Sequence, residues 1–163
     1  MTKRSSMLLT AIAIAGLGAM PAARADPQNT ARWQTIVGIT DANNVVAGIQ
    51  GGGQPWSALG GHALVDLRSG RMEFEVRGLV FAGGNTIGTP APVGSVKGTI
   101  VCNATGANSQ VIDTPLVPLD EEGNARFSGD LGSLPAICAS QPDVAFLIRI
   151  PAGRWIANGA VLR

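Results

Sequence analysis

The chain has 163 residues, of which 14% are charged, with 12 Lys and Arg balanced against 11 Asp and Glu. No basic cluster is present, so nucleic acid is not an expected partner. The 22 Gly and 10 Pro argue against a helical bundle, which draws on Glu, Lys and Leu, and point instead to short strands joined by turns.

In chain order, Lys3 and Arg4 precede an apolar run from Met7 to Met20, and Ala23-Arg24-Ala25 forms a small-x-small cleavage site. Together these predict a Sec-type signal peptide over residues 1–25, cut after Ala25, for a periplasmic or secreted protein. The apolar run is too short for a transmembrane anchor, so no membrane span is expected after cleavage. Loss of Lys3, Arg4 and Arg24 takes the basic count from 12 to nine against 11 acidic residues, a mature net charge near −2. Residues 26–163 are long enough for one domain with one core.

Trp33 to Thr40 reads as a first strand, Asp41 to Asn44 as a turn, and Val45 to Gln50 as a second strand. Gly51 to Ala58 is a Gly-rich connection with Trp56 near its middle. Loops on a rigid β-scaffold commonly carry binding, and a Trp offers a large contact area. Trp56, with Gln54 and Ser57, is therefore the candidate contact site for a protein or cell-envelope ligand. The competing reading has Trp56 folded back to plug one end of the core.

The clearest architecture lies between Gly60 and Phe81. Ala63, Val65 and Leu67 alternate with His62, Leu64 and Asp66, and Met72, Phe74 and Val76 with Glu73, Glu75 and Arg77, which predicts a hairpin turning at Arg68 to Arg71. Setting Leu67 opposite Met72 faces Val65 to Phe74, Ala63 to Val76 and His62 to Arg77, with Asp66 and Glu73 as neighbours on the polar side. A second layer must cover the apolar side, because a lone hairpin is marginal in water.

A second Gly/Pro-rich connection, Ala82 to Pro92, leads to a strand from Val93 to Cys102. Val111 to Leu119 is interrupted by Pro115 and Pro118, which predicts an edge position. Asp120 to Gly123 reads as a turn, and Ala125, Phe127, Gly129 and Leu131 as inward positions of the next strand. Val144 to Ile150 is nearly continuous in apolar residues and reads as a central strand covered on both faces. Pro151 to Gly153 turns the chain into a last strand, with Trp155, Ala157 and Val161 inward.

About nine strands without a helix predict an all-β fold, an antiparallel β-sandwich of immunoglobulin-like or Greek-key type. A membrane β-barrel would want aromatic girdles, and the chain has no Tyr, three Trp and four Phe. Cys102 and Cys138 are the only cysteines, and in an exported protein they predict one disulfide. They form no Cys-x-x-Cys motif, and with the single His62 they fall short of a structural zinc site.

Gly60-Gly61-His62-Ala63-Leu64-Val65-Asp66-Leu67 is similar to the early G-x-A-x-x-x-L strand of CHRD-like (chordin-type) domains of exported bacterial proteins. Phe74 to Leu79 resembles their V-x-G-L strand, and Arg154 to Ala160 their closing strand. The resemblance implies a binding or structural role. The family's His-x-His element is absent, so no metal role is carried over.

No Ser lies in a nucleophile elbow, and His62 is the only imidazole. Asp66 and Glu73 are the one carboxylate pair that could serve as acid and base, or hold a hard cation. Arg68 and Arg71 beside them favour a salt-laced exposed face. The expected function is thus that of an exported, non-catalytic binding, envelope or surface-associated protein without a cofactor or metal. The alternative is a secreted hydrolase using Asp66 and Glu73.

Overall fold

In a computed structural model of the chain, residues 29–139 and 143–162 are described. The signal peptide expected over residues 1–25 lies outside them, as does the side chain of Val161. Thirteen strands are described in chain order: β1 (Thr30–Gly38), β2 (Val45–Val46), β3 (Ile49–Gln50), β4 (Trp56–Ser57), β5 (Gly60–Asp66), β6 (Arg71–Arg77), β7 (Val80–Phe81), β8 (Ser95–Cys102), β9 (Gln110–Asp113), β10 (Val117–Pro118), β11 (Ala125–Asp130), β12 (Val144–Arg149) and β13 (Trp155–Leu162). A short 3-10 turn spans Ala136–Ala139. No helix among the described residues is long and apolar enough to cross a membrane.

The fold is all-β and antiparallel. Its main sheet has nine strands: eight on one hydrogen-bonded path, β10-β8-β12-β13-β1-β5-β6-β11, and β9 beside it on β8. The sequence pattern predicts two layers, whereas the ladder is a single sheet curled on itself. Its core shows the curl directly. A Cβ placed on Gly98 of β8 would meet the Phe74 ring of β6 at 2.7 Å, although β8 and β6 are far apart along the sheet. Phe74 in turn lies 5.7 Å from Phe146 of β12, and Phe146 lies 5.6 Å from Trp33 of β1. Side chains from several walls thus fill one interior.

The β5–β6 hairpin forms with the expected face inward, but its register is displaced by two residues. Val65 sits opposite Met72, Ala63 opposite Phe74, Gly61 opposite Val76, and His62 opposite Glu75. The turn is the reason. The Asp66 carboxylate accepts hydrogen bonds from the Arg68 and Ser69 N–H groups, both at 2.9 Å, and Gly70 N–H returns to the Asp66 carbonyl with φ of 77°. This Asx-type turn draws Leu67 out of the ladder and sends its N–H to the Asn29 carbonyl. Displacement by an even number of residues keeps every side chain on its expected face.

Three further features depart from simple strand alternation. The single strand over Val45 to Gln50 is a tiny hairpin, because Ala47 and Gly48 both take positive φ (48° and 74°) in a primed two-residue turn. In β1 the burial pattern slips phase between Trp33 and Ile36, both buried with Gln34 exposed between them, so simple alternation fails there. Thr99, on the same face of β8 as Lys97, is fully buried and donates to Asp113 Oδ1 at 2.7 Å.

Elsewhere the pattern holds. Phe146, Leu147 and Ile148 of β12 are all buried between β8 and β13. The strand expected over Val111 to Leu119 is divided into β9 and β10, both on the outer side of β8, the edge that Pro115 and Pro118 predict. Cys102 and Cys138 form a disulfide and are fully buried.

Candidate functional site

Trp56 reaches its place through a glycine. The Trp56 N–H donates to the Ile39 carbonyl at 2.7 Å, and a Cβ on Gly38 would meet the Trp56 carbonyl at 2.2 Å. Only a residue without a side chain lets the loop settle so closely on β1. β4 then pairs with β7, setting the Trp56 ring 4.0 Å from that of Phe81. Trp56 is 3% exposed, so of the two readings of this residue the structure shows the one in which the indole folds back on the core. Gln54 and Ser57 on either side remain exposed.

Around this plug the loops leave two adjoining hollows at one end of the sheet. The first, about 320 Å³, is lined by Gly52, Gly53, Gln54, Trp56, Phe81, Val93, Ile150, Arg154 and Ile156. The second, about 500 Å³, runs from Thr89 through Gly94 and is completed by Leu119, Asp120 and Glu121. Val93 is common to both. Their walls are largely apolar, with Arg154 in the first and Pro90, Pro92, Asp120 and Glu121 in the second. Arg154 Nη1 donates to the Gly51 carbonyl at 2.9 Å, which anchors the charge at the rim. The Asp120 carboxylate accepts from the Asn124 N–H at 2.7 Å and from the Asn124 amide at 3.1 Å, and the first of these chiefly holds its pKa below the ordinary carboxylate value.

A third hollow, about 610 Å³, opens where the curled sheet ends. It lies between β10 and the strands β6 and β11, with Arg77, Val117, Pro118, Ala125 and Arg126 among its walls.

Asp66 and Glu73 are not cross-strand neighbours, because Leu64 stands opposite Glu73. The Asp66 carboxylate is engaged in its turn, and the bond from Ser69 N–H is the main cause of its lowered pKa. Glu73 belongs instead to a shallow outer-face hollow with Arg32, Gln34, His62 and Leu64. Among the described residues, no group of three or more His, Cys, Asp and Glu side chains is placed to hold a metal ion.

A further polar cluster sits on β8, β9 and β12. Lys97 Nζ lies 2.5 Å from Asp113 Oδ2, and Arg149 Nη1 lies 3.0 Å from Asp113 Oδ1. Burial pushes the Asp113 pKa up, but the bonds from Lys97 and Thr99 and the two neighbouring cations together outweigh it, leaving the group below its ordinary value.

Of the sequence candidates, the structure brings only Gln54 and Trp56 into the paired hollows. Phe81, Val93, Arg154 and Asp120 had no sequence signal beyond their nearness to Gly/Pro-rich connections, since five separate segments assemble the rim. No protein-family model, curated protein or solved structure matches the chain.

Proposed function

We propose that the protein is an exported binding protein without chemistry of its own, and that its contact surface is the rim formed by the loops 51–58 and 82–94. The observation that carries this reading is the pair of hollows meeting at Val93. Their volumes fall in the range of ligand sites, and an apolar track with a few polar groups suits recognition rather than bond making. Arg154 in one and Asp120 with Glu121 in the other favour an extended, peptide-like ligand carrying opposite charges along its length. The buried disulfide supports an oxidising compartment, in keeping with Ala23-Arg24-Ala25 as a cleavage site. The resemblance of Gly60 to Leu67 and of Phe74 to Leu79 to CHRD-like domains points to the same kind of role. We also take the curl to be flattened into two packed faces, the sandwich that the strand pattern implies.

The hydrolase reading loses its geometric basis with the pairing of Asp66 and Glu73. The test is an amide-resolved NMR titration of the mature chain with extended peptides drawn from envelope proteins. Saturable shifts at Gln54, Val93, Arg154 and Glu121, weakened by Arg154→Glu, are expected. Shifts confined to other surfaces, or none across the series, would refute the assignment of the rim.

A further inference from the structure

The first hollow of the rim holds a single charge among apolar walls. Phe81, Val93 and Ile150 line it half-buried, backed by the buried Trp56 and Ile156, and Arg154 is its one charged lining residue. The guanidinium is set in place from one side: Nη1 donates to the Gly51 carbonyl at 2.9 Å and to Asn43 Oδ1 at 3.3 Å. Both acceptors are neutral, and among the described residues no carboxylate is within ion-pair reach of Arg154. Its Nε and Nη2 have no acceptor among those residues, and neither do the N–H groups of Gly53 and Gln54, which line the same hollow. A fixed cation with spare donors beside it calls for an anion, and the planar fork of a guanidinium matches a carboxylate.

Resting on the reading of the rim as a peptide-binding surface, we infer that the first hollow takes the C-terminal residue of the bound peptide, its carboxylate on Arg154 and its apolar side chain among Phe81, Val93 and Ile150. Size decides between the two sources of a carboxylate. At about 320 Å³ the hollow is at the low end of ligand sites, suited to one residue rather than a run of them. The cation and the apolar walls therefore have to be answered by the same residue. An Asp or Glu inside a chain brings a carboxylate but no apolar side chain, whereas a terminal Leu or Phe brings both. The residues before it pass Val93, which the two hollows share, toward Asp120 and Glu121, and a basic side chain upstream matches those acids. Because Arg154 is already held by Gly51 and Asn43, little of its side-chain freedom is lost on binding.

The test titrates the mature, disulfide-bonded chain with synthetic peptides, read by amide-resolved NMR. The probes are acetyl-Lys-Ala-Ala-Leu with a free carboxylate, the same peptide amidated, the free acid ending in Gly, and acetyl-Lys-Ala-Glu-Leu as the amide. The free acid ending in Leu should shift Gly53, Gln54, Val93 and Arg154 and bind roughly tenfold or more tighter than its amide, which cannot form the charge-assisted pair. Ending in Gly should weaken binding by a similar factor, through loss of the buried side chain. An internal Glu should not restore the affinity that amidation removes. Arg154→Gln should abolish the preference for the free acid, and the peptide series on the wild type gives a readout that does not depend on that variant. Equal binding of acid and amide at the rim, a terminal Gly as good as Leu, an internal Glu that replaces the terminal carboxylate, or a preference that survives Arg154→Gln would each overturn the inference while leaving the rim as the binding surface. No shift at the rim from any of these peptides would overturn both.

Discussion

Replacing Gly98 by alanine probes the curl of the sheet at a single atom. The new methyl carbon would lie 2.7 Å from Phe74 Cε1, 2.8 Å from Cδ1 and 3.1 Å from Met72 Cε, with β8 on one wall and β6 on the other. Real carbon atoms pack near 3.5 to 4.0 Å, so the ring must retreat by about 1 Å into a space already bounded by Phe127 and Phe146. Overpacking of this kind costs about 1–3 kcal/mol. For a domain of this size that is a fall in melting temperature of roughly 3–12 °C. Phe74→Leu alone should cost about 1–2 kcal/mol through lost burial. In the double variant, however, the smaller side chain vacates the place the methyl needs, so the two losses should fall short of additive by at least about 1 kcal/mol. Urea unfolding of the four proteins in the cycle measures this coupling. Strict additivity would mean that Gly98 and Phe74 do not meet across the interior, and the curled-sheet description would be wrong.

Other consequences can be measured on the same material. Replacing Cys102 and Cys138 together by alanine should cost about 4 kcal/mol in the chain-entropy model for a loop of 36 residues' separation, read as a fall in the urea midpoint that reductant reproduces in the wild type. Trp56→Ala should cost about 3–5 kcal/mol, since the indole is buried against Phe81, and wild-type Trp emission should resist aqueous quenchers at this position. Asp113 has a folded pKa below its unfolded one, so the stability it supplies is present above about pH 4 and is lost as pH falls through the folded value. Unfolding midpoints between pH 6 and pH 2 should therefore fall less steeply for Asp113→Asn than for the wild type, and equal slopes would contradict the assignment.

Much of this architecture could be read from local pattern, and what could not be read has specific causes. Alternation in Ala63 to Leu67 and Met72 to Val76 predicts the inward face correctly, because period two survives a slip of two residues. The register itself depends on the Asp66 carboxylate capping Arg68 and Ser69, a side-chain choice that hydrophobic pattern cannot express. Val144 to Ile150 is legible as a central strand because burial on both faces leaves an unbroken apolar run. The order of strands is not legible in the same way. Pairing of β1 with β13 joins the first and last described strands, and nothing local at Gly38 or Ala157 specifies the other. For the candidate site, the Gly-rich loop keeps Gly53, Gln54 and Ser57 exposed, but the fate of Trp56 turns on Gly38, eighteen positions earlier in sequence. Val93, Arg154 and Asp120 meet only once the sheet has curled.

The β1–β13 junction is the point on which the rim depends, since it makes one sheet of β1-β5-β6-β11 and β10-β8-β12-β13. Cross-strand Hα and amide contacts in a nuclear Overhauser spectrum of the mature protein test it directly. The account predicts contacts linking Ile36 with Gly159 and Gly38 with Ala157, alongside those linking Leu147 with Asn158. Contacts within β1-β5-β6 and within β8-β12-β13, with none between β1 and β13, would contradict it.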